Sequence, residues 1–153
     1  MSSANEIDRA GMMQALAQAR KSYDEGGIPI GCSLMANGTV LGCGHNQRIQ
    51  KSSATLHAEI SALENAGRLR AQRYREVTLY TTLSPCLMCT GAILLYKIPR
   101  VVIGENITFL GGEELLKSHQ IEVVVIDDPE CKDLMARFIR EKPEEWNEDI
   151  GEE

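Results

Sequence analysis

The chain has 153 residues, of which 43% are hydrophobic and 25% are charged. This length and composition are typical of one soluble globular domain, and no apolar run is long enough to cross a bilayer. The formal net charge of −6 argues against a polyanionic partner such as nucleic acid.

The N-terminal segment predicts no secretion signal. Residues 1–9 include Glu6 and Asp8 and lack the apolar core of a signal peptide. Without an export signal, we expect the cysteines that bind no metal to be reduced thiols. The sequence therefore predicts a cytoplasmic protein. Its five cysteines are Cys32, Cys43, Cys86, Cys89 and Cys131.

Hydrophobic periodicity and turn signals predict alternating helices and strands. Asn37-Gly38 is a strong signal for a two-residue hairpin turn, and Pro129 follows Asp128 as a helix start. The predicted elements are a helix 5–25, strands 32–36 and 39–42, a helix from 57 to 66, a strand 77–83, a helix opened by 84–85, a strand 100–105, a helix 113–118, a strand 121–126 and a helix 128–141.

This order predicts a three-layer α/β/α fold around a mixed five-stranded sheet. The hairpin supplies an antiparallel pair, and the later β-α-β units supply parallel neighbours. The continuous β-branched run at 121–126 is typical of a buried strand. Residues 143–153 form a short terminal segment that begins at Pro143.

Two motifs carry most of the chemical information: His57-Ala58-Glu59, and Pro85-Cys86-Leu87-Met88-Cys89. One histidine and two cysteines make three zinc ligands, which leave a fourth position open, as in a catalytic site. The two cysteines are three residues apart, so on a helix both sulfurs face one side. All three ligands are predicted in first helical turns, where the helix dipole favours thiolate over thiol.

Glu59 is two residues past His57, so it points away from that side chain and is free for proton transfer. A zinc ion would lower the pKa of its bound water toward about 7. Hydroxide would then attack the carbon that bears an exocyclic amine. Glu59 would carry the water's proton to the ring nitrogen and would then help to protonate the amine, which leaves as ammonia. This pair of motifs is the known pattern of zinc-dependent base deaminases.

Other interpretations of the motifs remain open. C-x-x-C alone also occurs in redox proteins, and a structural zinc site would need a fourth ligand such as Cys43 or His45. His57 could also be an ordinary buried histidine. A cluster of arginines is compatible with either a solvated surface or a contact with tRNA; it comprises Arg68, Arg70, Arg73 and Arg75.

Beyond these motifs, the chain resembles the fungal-type, yeast-like cytosine deaminases of the cytidine/deoxycytidylate deaminase superfamily along nearly its whole length. The matching stretches are 25–31, 44–46, 53–57, 79–86, 104–106 and 148–151. The resemblance implies a cytidine deaminase-like fold and a homodimer that converts free cytosine to uracil and ammonia. It also implies one zinc ion on His57, Cys86 and Cys89, with Glu59 as the proton shuttle.

The resemblance further implies a pocket for the base. Asn46 would hydrogen-bond the carbonyl and ring N–H, and the backbone N–H of Ala58 would support the same carbonyl. The backbone C=O of Ser84 and the carboxylate of Asp149 would receive the amine. The ring would be enclosed by Ile30, Leu83, Phe109, Trp146 and Ile150, with residues 143–153 as a lid.

The chain departs from that family at Ala58, where the fungal enzymes have glycine, at Leu87, at 110–112 and at Asn147. These changes leave the chemistry intact and bear on the choice among cytosine, 5-substituted cytosines and isocytosine. Two further alternatives are a tRNA adenosine deaminase and a binding module stabilised by structural zinc.

Overall fold

The structure is a computed structural model that describes residues 5–152. The helices are α1 (Glu6–Asp24), α2 (Arg48–Lys51), α3 (Ala58–Ala66), α4 (Ala71–Tyr74), α5 (Leu87–Tyr96), α6 (Glu113–Ser118), α7 (Pro129–Glu141) and α8 (Pro143–Asp149). The strands are β1 (Gly31–Ala36), β2 (Thr39–His45), β3 (Thr78–Leu83), β4 (Arg100–Glu105) and β5 (Glu122–Val125).

The five strands form one mixed sheet in the order β2-β1-β3-β4-β5. β1 is antiparallel to both β2 and β3, whereas β3, β4 and β5 run parallel. The predicted three-layer fold with a mixed five-stranded sheet is confirmed. The antiparallel pairing of β1 with β3 was not predicted, because it joins segments far apart in the chain.

Alternation along the strands builds the core on both faces of the sheet. On one face, buried residues such as Met35, Tyr80 and Val102 pack against α1 and α7. On the other face, residues such as Leu34 and Leu79 pack against α3, α5 and α6. No helix within residues 5–152 has the length and apolar content needed to span a membrane.

The hairpin turn forms as predicted. Asn37 and Gly38 both have positive φ, 53° and 78°, as a type I′ turn requires. β2 is longer than predicted and reaches His45. Its pairing with β1 shifts register between Leu34 and Met35 of β1. At Gly42 a Cβ atom would lie 2.7 Å from the backbone N of Ala66, so this glycine allows α3 to pack closely on the sheet.

Three local predictions are wrong. The helices expected to begin at His57 and at 84–85 begin one to three residues later, because His57 and Cys86 are themselves the N-caps. β5 is an edge strand and is not fully buried: Val124 is buried, but Val125 is 38% exposed. Within residues 5–152, β5 pairs with β4 alone and forms one edge of the sheet. The short helices α2 and α4 were not predicted.

Candidate active site

The candidate site lies at the carboxyl ends of the parallel strands β3 and β4, where ligand sites commonly occur in α/β sheets. After Leu83, the chain passes through Ser84 and Pro85 into α5. After Glu105 it forms a loop, residues 106–112, that leads into α6. α3 approaches from the side with its N-terminus toward the same region, so three segments meet there.

The three predicted metal ligands come together. The ligand atoms of His57, Cys86 and Cys89 all lie within 4.8 Å of one another. Nδ1 of His57 is 3.5 Å from Sγ of Cys86, and this sulfur accepts a hydrogen bond from the Cys89 backbone N, also at 3.5 Å. His57 is the N-cap of α3 and Cys86 is the N-cap of α5, whereas Cys89 lies in the first turn of α5. Both sulfurs therefore lie at the positive N-terminal end of α5.

The electrostatics of this group favour a divalent cation. A hydrogen bond from the Cys89 thiol, with others from His57 and the Cys89 N–H, lowers the pKa of Cys86 to about 4. The same thiol pairing and burial raise the pKa of Cys89. Burial alone would lower the pKa of His57, but Cys86, Asp149 and Glu59 raise it to about 9. The group thus holds protons that a bound metal would replace.

The donor set fits a catalytic zinc site better than a structural one. Within residues 5–152, the cluster of metal-binding side chains contains three protein ligands. His45 is occupied elsewhere: its Nδ1 is 3.0 Å from Gln18 and its Nε2 is 2.9 Å from Glu25. Cys43 is not part of the cluster either. Three ligands of the N, S and S type leave one coordination position for water or substrate.

Glu59 is buried beside these ligands, with 4% of its surface exposed. It lies in the first turn of α3, and its carboxylate is close to Cys89. Burial raises the pKa of Glu59 to about 7. A carboxyl group that titrates near neutral pH can both accept and donate a proton, as a proton shuttle must.

A small cavity, partly open to solvent, lies next to the ligands. The structure brings twelve of the thirteen predicted site residues to its wall; Cys89 lies behind the wall and is fully buried. The lining residues are Ile30, Asn46, His57, Ala58, Glu59, Leu83, Ser84, Cys86, Phe109, Trp146, Asp149 and Ile150.

Asn46 and Asp149 meet inside this cavity although 103 residues separate them in sequence. Nδ2 of Asn46 donates to Oδ1 of Asp149 at 2.9 Å, and Oδ1 of Asn46 accepts from the Arg48 backbone N at 3.0 Å. An amide has two N–H donors and two acceptor lone pairs, so Asn46 retains one of each for a ligand. Burial raises the pKa of Asp149, against the opposing effects of His57, Asn46 and Arg48.

Helix α8 closes one side of the cavity. Trp146 and Asp149 are its buried residues, and Ile150 follows it. The Trp146 ring meets Phe109 edge to face, with centroids 6.1 Å apart. The two aromatic rings therefore form one apolar wall, made from the 106–112 loop and the C-terminal helix.

Sequence reasoning missed two residues near the site. Arg48 lies 3.7 Å from Asp149 and links α2 to α8. Glu113 is buried, and its carboxylate accepts a hydrogen bond from Ser84 Oγ at 2.7 Å. An arginine and a glutamate at helix starts are ordinary features of a sequence, so no local signal identified either.

Comparison with known proteins agrees with this geometry. The family profile described as the cytidine and deoxycytidylate deaminase zinc-binding region matches residues 5–105. The chain is 64% identical over 146 residues to a cytosine deaminase of Candida albicans, which covers 95% of this chain and 97% of that protein. It is 34% identical over 145 residues to a tRNA-specific adenosine deaminase of Bacillus subtilis, covering 88% and 89%.

The fold is also shared with solved structures. A structure from a study of A-to-I editing by tRNA:A34 deaminases superposes with a TM-score of 0.69 at 26% identity, covering 82% of this chain and 99% of that one. These similarities confirm the resemblance that the sequence motifs indicated. The chain therefore belongs to the family of zinc-binding cytidine and deoxycytidylate deaminases.

Proposed function

We propose that this protein is a zinc-dependent cytosine deaminase that converts free cytosine and water to uracil and ammonia. The observation that carries the proposal is a small cavity lined by Asn46, Glu59 and Asp149. It lies beside the cluster of His57, Cys86 and Cys89 that could hold a metal ion. The 64% identity to the Candida albicans cytosine deaminase over nearly the whole chain supports the same substrate.

His57, Cys86 and Cys89 would hold the metal. When bound, zinc would act as a Lewis acid and make a water-derived nucleophile available at neutral pH. Glu59 would take the proton released from water and deliver it first to the ring nitrogen beside the reacting carbon. It would then take the remaining proton of the oxygen added to that carbon and pass it to the amine. The C–N bond breaks, ammonia leaves, and the added oxygen becomes the new carbonyl of uracil. Burial, which raises the pKa of Glu59, favours its holding a proton between the two transfers.

Polar groups on opposite walls would orient the base. Asn46 would pair its remaining donor and acceptor with the adjacent carbonyl and N–H of cytosine. Ala58 is the first residue of α3, so its backbone N–H has no partner within the helix and is available to the same carbonyl. The carbonyl of Ser84 and the carboxylate of Asp149 would receive the exocyclic amine.

We propose that residues 143–153 act as a lid that admits a base and excludes a nucleoside. The cavity is small and only partly open to solvent. Trp146, Asp149 and Ile150 line it from the C-terminal side, which leaves little room for a sugar on the ring nitrogen near Asn46. A closed lid would also keep bulk water out during the reaction.

A tRNA adenosine deaminase is the competing assignment because of the 34% identical relatives. Such an enzyme needs an open channel for a polynucleotide, whereas α8 covers this pocket. The arginine cluster of residues 68–75 lies outside the pocket lining, and Arg73 is paired with Glu76 at 2.7 Å. The chain also has a net charge of −6. Together these features favour a small substrate over a polynucleotide.

We further propose that two copies of the chain associate through the outer face of α5. Leu87 and Leu95, two turns apart, are 74% and 69% exposed, and Met88 and Tyr96 are partly exposed beside them. Apolar side chains on one helix face usually mark a contact with another protein surface. Leu95→Asp should reduce the molar mass measured by light scattering to that of a single chain; an unchanged mass would reject this interface.

A cytoplasmic location is also proposed. None of the five cysteines forms a disulfide within residues 5–152, and the proposed metal site needs two of them as thiolates.

Ammonia release from a substrate panel tests the activity. The panel holds cytosine, 5-methylcytosine, isocytosine, cytidine, adenine and guanine, and a tRNA transcript is assayed for inosine. We expect the highest kcat/KM with cytosine. Cytidine should be worse by roughly 5- to 150-fold, because its sugar leaves the buried amide of Asn46 partly unpaired. Comparable efficiency on cytidine, or activity only on tRNA, would reject the proposed substrate.

A further inference from the structure

Glu113 is an acidic residue buried beside the active site that the proposed reaction does not use. It is the first residue of α6 and only 4% exposed. Its carboxylate accepts hydrogen bonds from the hydroxyl of Ser84 at 2.7 Å and from Nδ2 of Asn106 at 3.2 Å. A buried carboxylate lowers stability unless its hydrogen bonds compensate. Its position next to the pocket therefore suggests a functional role.

The Glu113 carboxylate determines how Ser84 is oriented. Ser84 Oγ has a single hydrogen, and it donates this hydrogen to Oε2 of Glu113. The lone pairs of Oγ are then directed to the backbone N–H of Gly111, which lies 3.0 Å away. Glu113, Ser84 and Gly111 therefore form one connected bridge, and its middle residue lines the pocket.

The bridge ties the 106–112 loop to the start of the cysteine helix. Next to it, Gly112 N donates to the Pro85 carbonyl at 3.0 Å. The first half of the loop is held by another buried carboxylate, since Glu105 accepts from the backbone N of Ile107 and of Thr108, at 2.8 and 2.9 Å. Phe109 lies between these two anchors and forms the pocket wall with Trp146.

We propose that Glu113 is a positioning residue for deamination. Through Ser84 and Gly111 it would hold the Ser84 carbonyl toward the substrate amine and Phe109 against Trp146. Glu113 itself does not line the cavity, so it acts through its partners and not by contact with the base. This role rests on the proposed deamination of cytosine.

Two variants and one matched control test the proposal. Ser84→Ala removes the hydroxyl and keeps the backbone carbonyl, and Glu113→Gln keeps the shape but loses one acceptor. Tyr80→Phe is the control, because it removes another buried hydroxyl–carboxylate bond, the 2.8 Å contact with Asp8, away from the pocket. All three should lose some stability in urea, which is the effect a merely structural bond would have.

The kinetic result distinguishes positioning from stability. With zinc content equal to wild type, Ser84→Ala and Glu113→Gln should lose roughly 10-fold or more in kcat/KM for cytosine, because small misplacements of binding groups are costly. Tyr80→Phe should stay within about twofold of wild type. The loss in the double variant should be clearly smaller than the two single losses combined, since both changes disrupt the bond between Ser84 and Glu113. An unchanged kcat/KM in Glu113→Gln, or additive losses, would overturn the proposal.

Tryptophan fluorescence provides a measurement that does not depend on activity. Trp146 is the only tryptophan in the sequence and touches Phe109, so its emission reports on this wall of the pocket. Ser84→Ala and Glu113→Gln should each shift the emission or increase acrylamide quenching, whereas Tyr80→Phe should match wild type. If wild type fails to deaminate cytosine while these shifts appear, the proposed substrate is rejected and the anchoring of the loop by Glu113 is supported. Identical emission in all four proteins would overturn the anchoring itself.

Discussion

Oδ1 of Asp149 lies 3.5 Å from Nε2 of His57, on the side of the ring opposite the nitrogen that faces Cys86. Histidines that bind metals usually place their second nitrogen against a carboxylate, which fixes the orientation of the ring. Asp149 belongs to α8, so the C-terminal helix places a carboxylate against a proposed metal ligand. The proposed lid and the proposed metal site are therefore physically connected.

Removal of this carboxylate should weaken zinc binding as well as catalysis. We expect Asp149→Ala to lower zinc affinity by roughly 10- to 100-fold, measured by competition with a chromogenic chelator. Glu148→Ala is the matched control, because Glu148 is an exposed carboxylate on the same helix. Equal affinity in wild type and Asp149→Ala would show that the contact with His57 does not support the metal.

The metal ligands can be separated from the other thiols. Cys86→Ala and Cys89→Ala should lose most of the zinc from the purified protein and lower its thermal stability, because metal binding contributes to folding. Cys43→Ala should retain about one zinc per chain, measured by atomic absorption. Zinc loss in Cys43→Ala would instead favour a structural site with four protein ligands.

Glu59 should matter for chemistry and not for folding. Glu59→Gln keeps the size of the side chain but cannot accept and release a proton, so turnover of cytosine should fall by roughly 1,000-fold or more. Zinc content and melting temperature should stay close to wild type. Glu64→Gln, an exposed change on the same helix, should leave turnover unaltered. Near-normal turnover in Glu59→Gln would refute the assigned proton transfer.

The C-terminal segment should be dispensable for folding and necessary for activity. Deletion of residues 144–153 removes Trp146, Asp149 and Ile150 from the pocket but leaves the sheet and α7 intact. The truncated protein should retain its fold by circular dichroism and lose most deaminase activity. In the full chain, Trp146→Ala should raise KM and lower kcat together. Normal turnover by the truncated enzyme would exclude a lid role.

A buried ion pair far from the pocket should make stability depend on pH. Burial raises the pKa of Asp8, but hydrogen bonds from Arg100, Tyr80 and the Asn5 backbone outweigh it, so the pKa lies below its ordinary value of 3.8. A lowered folded-state pKa adds stability above the ordinary value, and this stability is lost as the pH falls through the folded-state pKa. Asp8→Ala should therefore lose about 1–3 kcal/mol at pH 7, because Tyr80 loses its acceptor and Arg100 keeps only its ion pair with Glu122.

Urea unfolding of wild type and Asp8→Ala at several pH values measures this difference. The gap in unfolding free energy should be constant above about pH 5 and should narrow below the ordinary carboxyl pKa. A gap that does not change with pH would mean that the loss comes from packing and not from the charge of Asp8.

Local chemistry accounts for the features that were predictable from the sequence. The hairpin at Asn37-Gly38 depends on two positive φ angles in adjacent residues, and the two cysteines depend on the three-residue spacing of one helical turn. Alternating helical and strand patterns were sufficient for the three-layer fold. Helix starts were less accurate, because a residue such as His57 can serve either as cap or as first turn.

The sequence by itself predicted the zinc-binding motifs, Glu59, and the order of the strands and the longer helices. Although 29 residues separate His57 from Cys86, each motif and each periodicity is a local pattern. Only the tertiary structure decided that Asp149 contacts His57, that Glu113 contacts Ser84, and that β5 is an edge strand. These contacts join segments far apart in the chain: 29 residues separate Ser84 from Glu113, and 103 separate Asp149 from its other partner, Asn46. They form because burial of the sheet's two faces brings the segments together, and no local pattern encodes that packing.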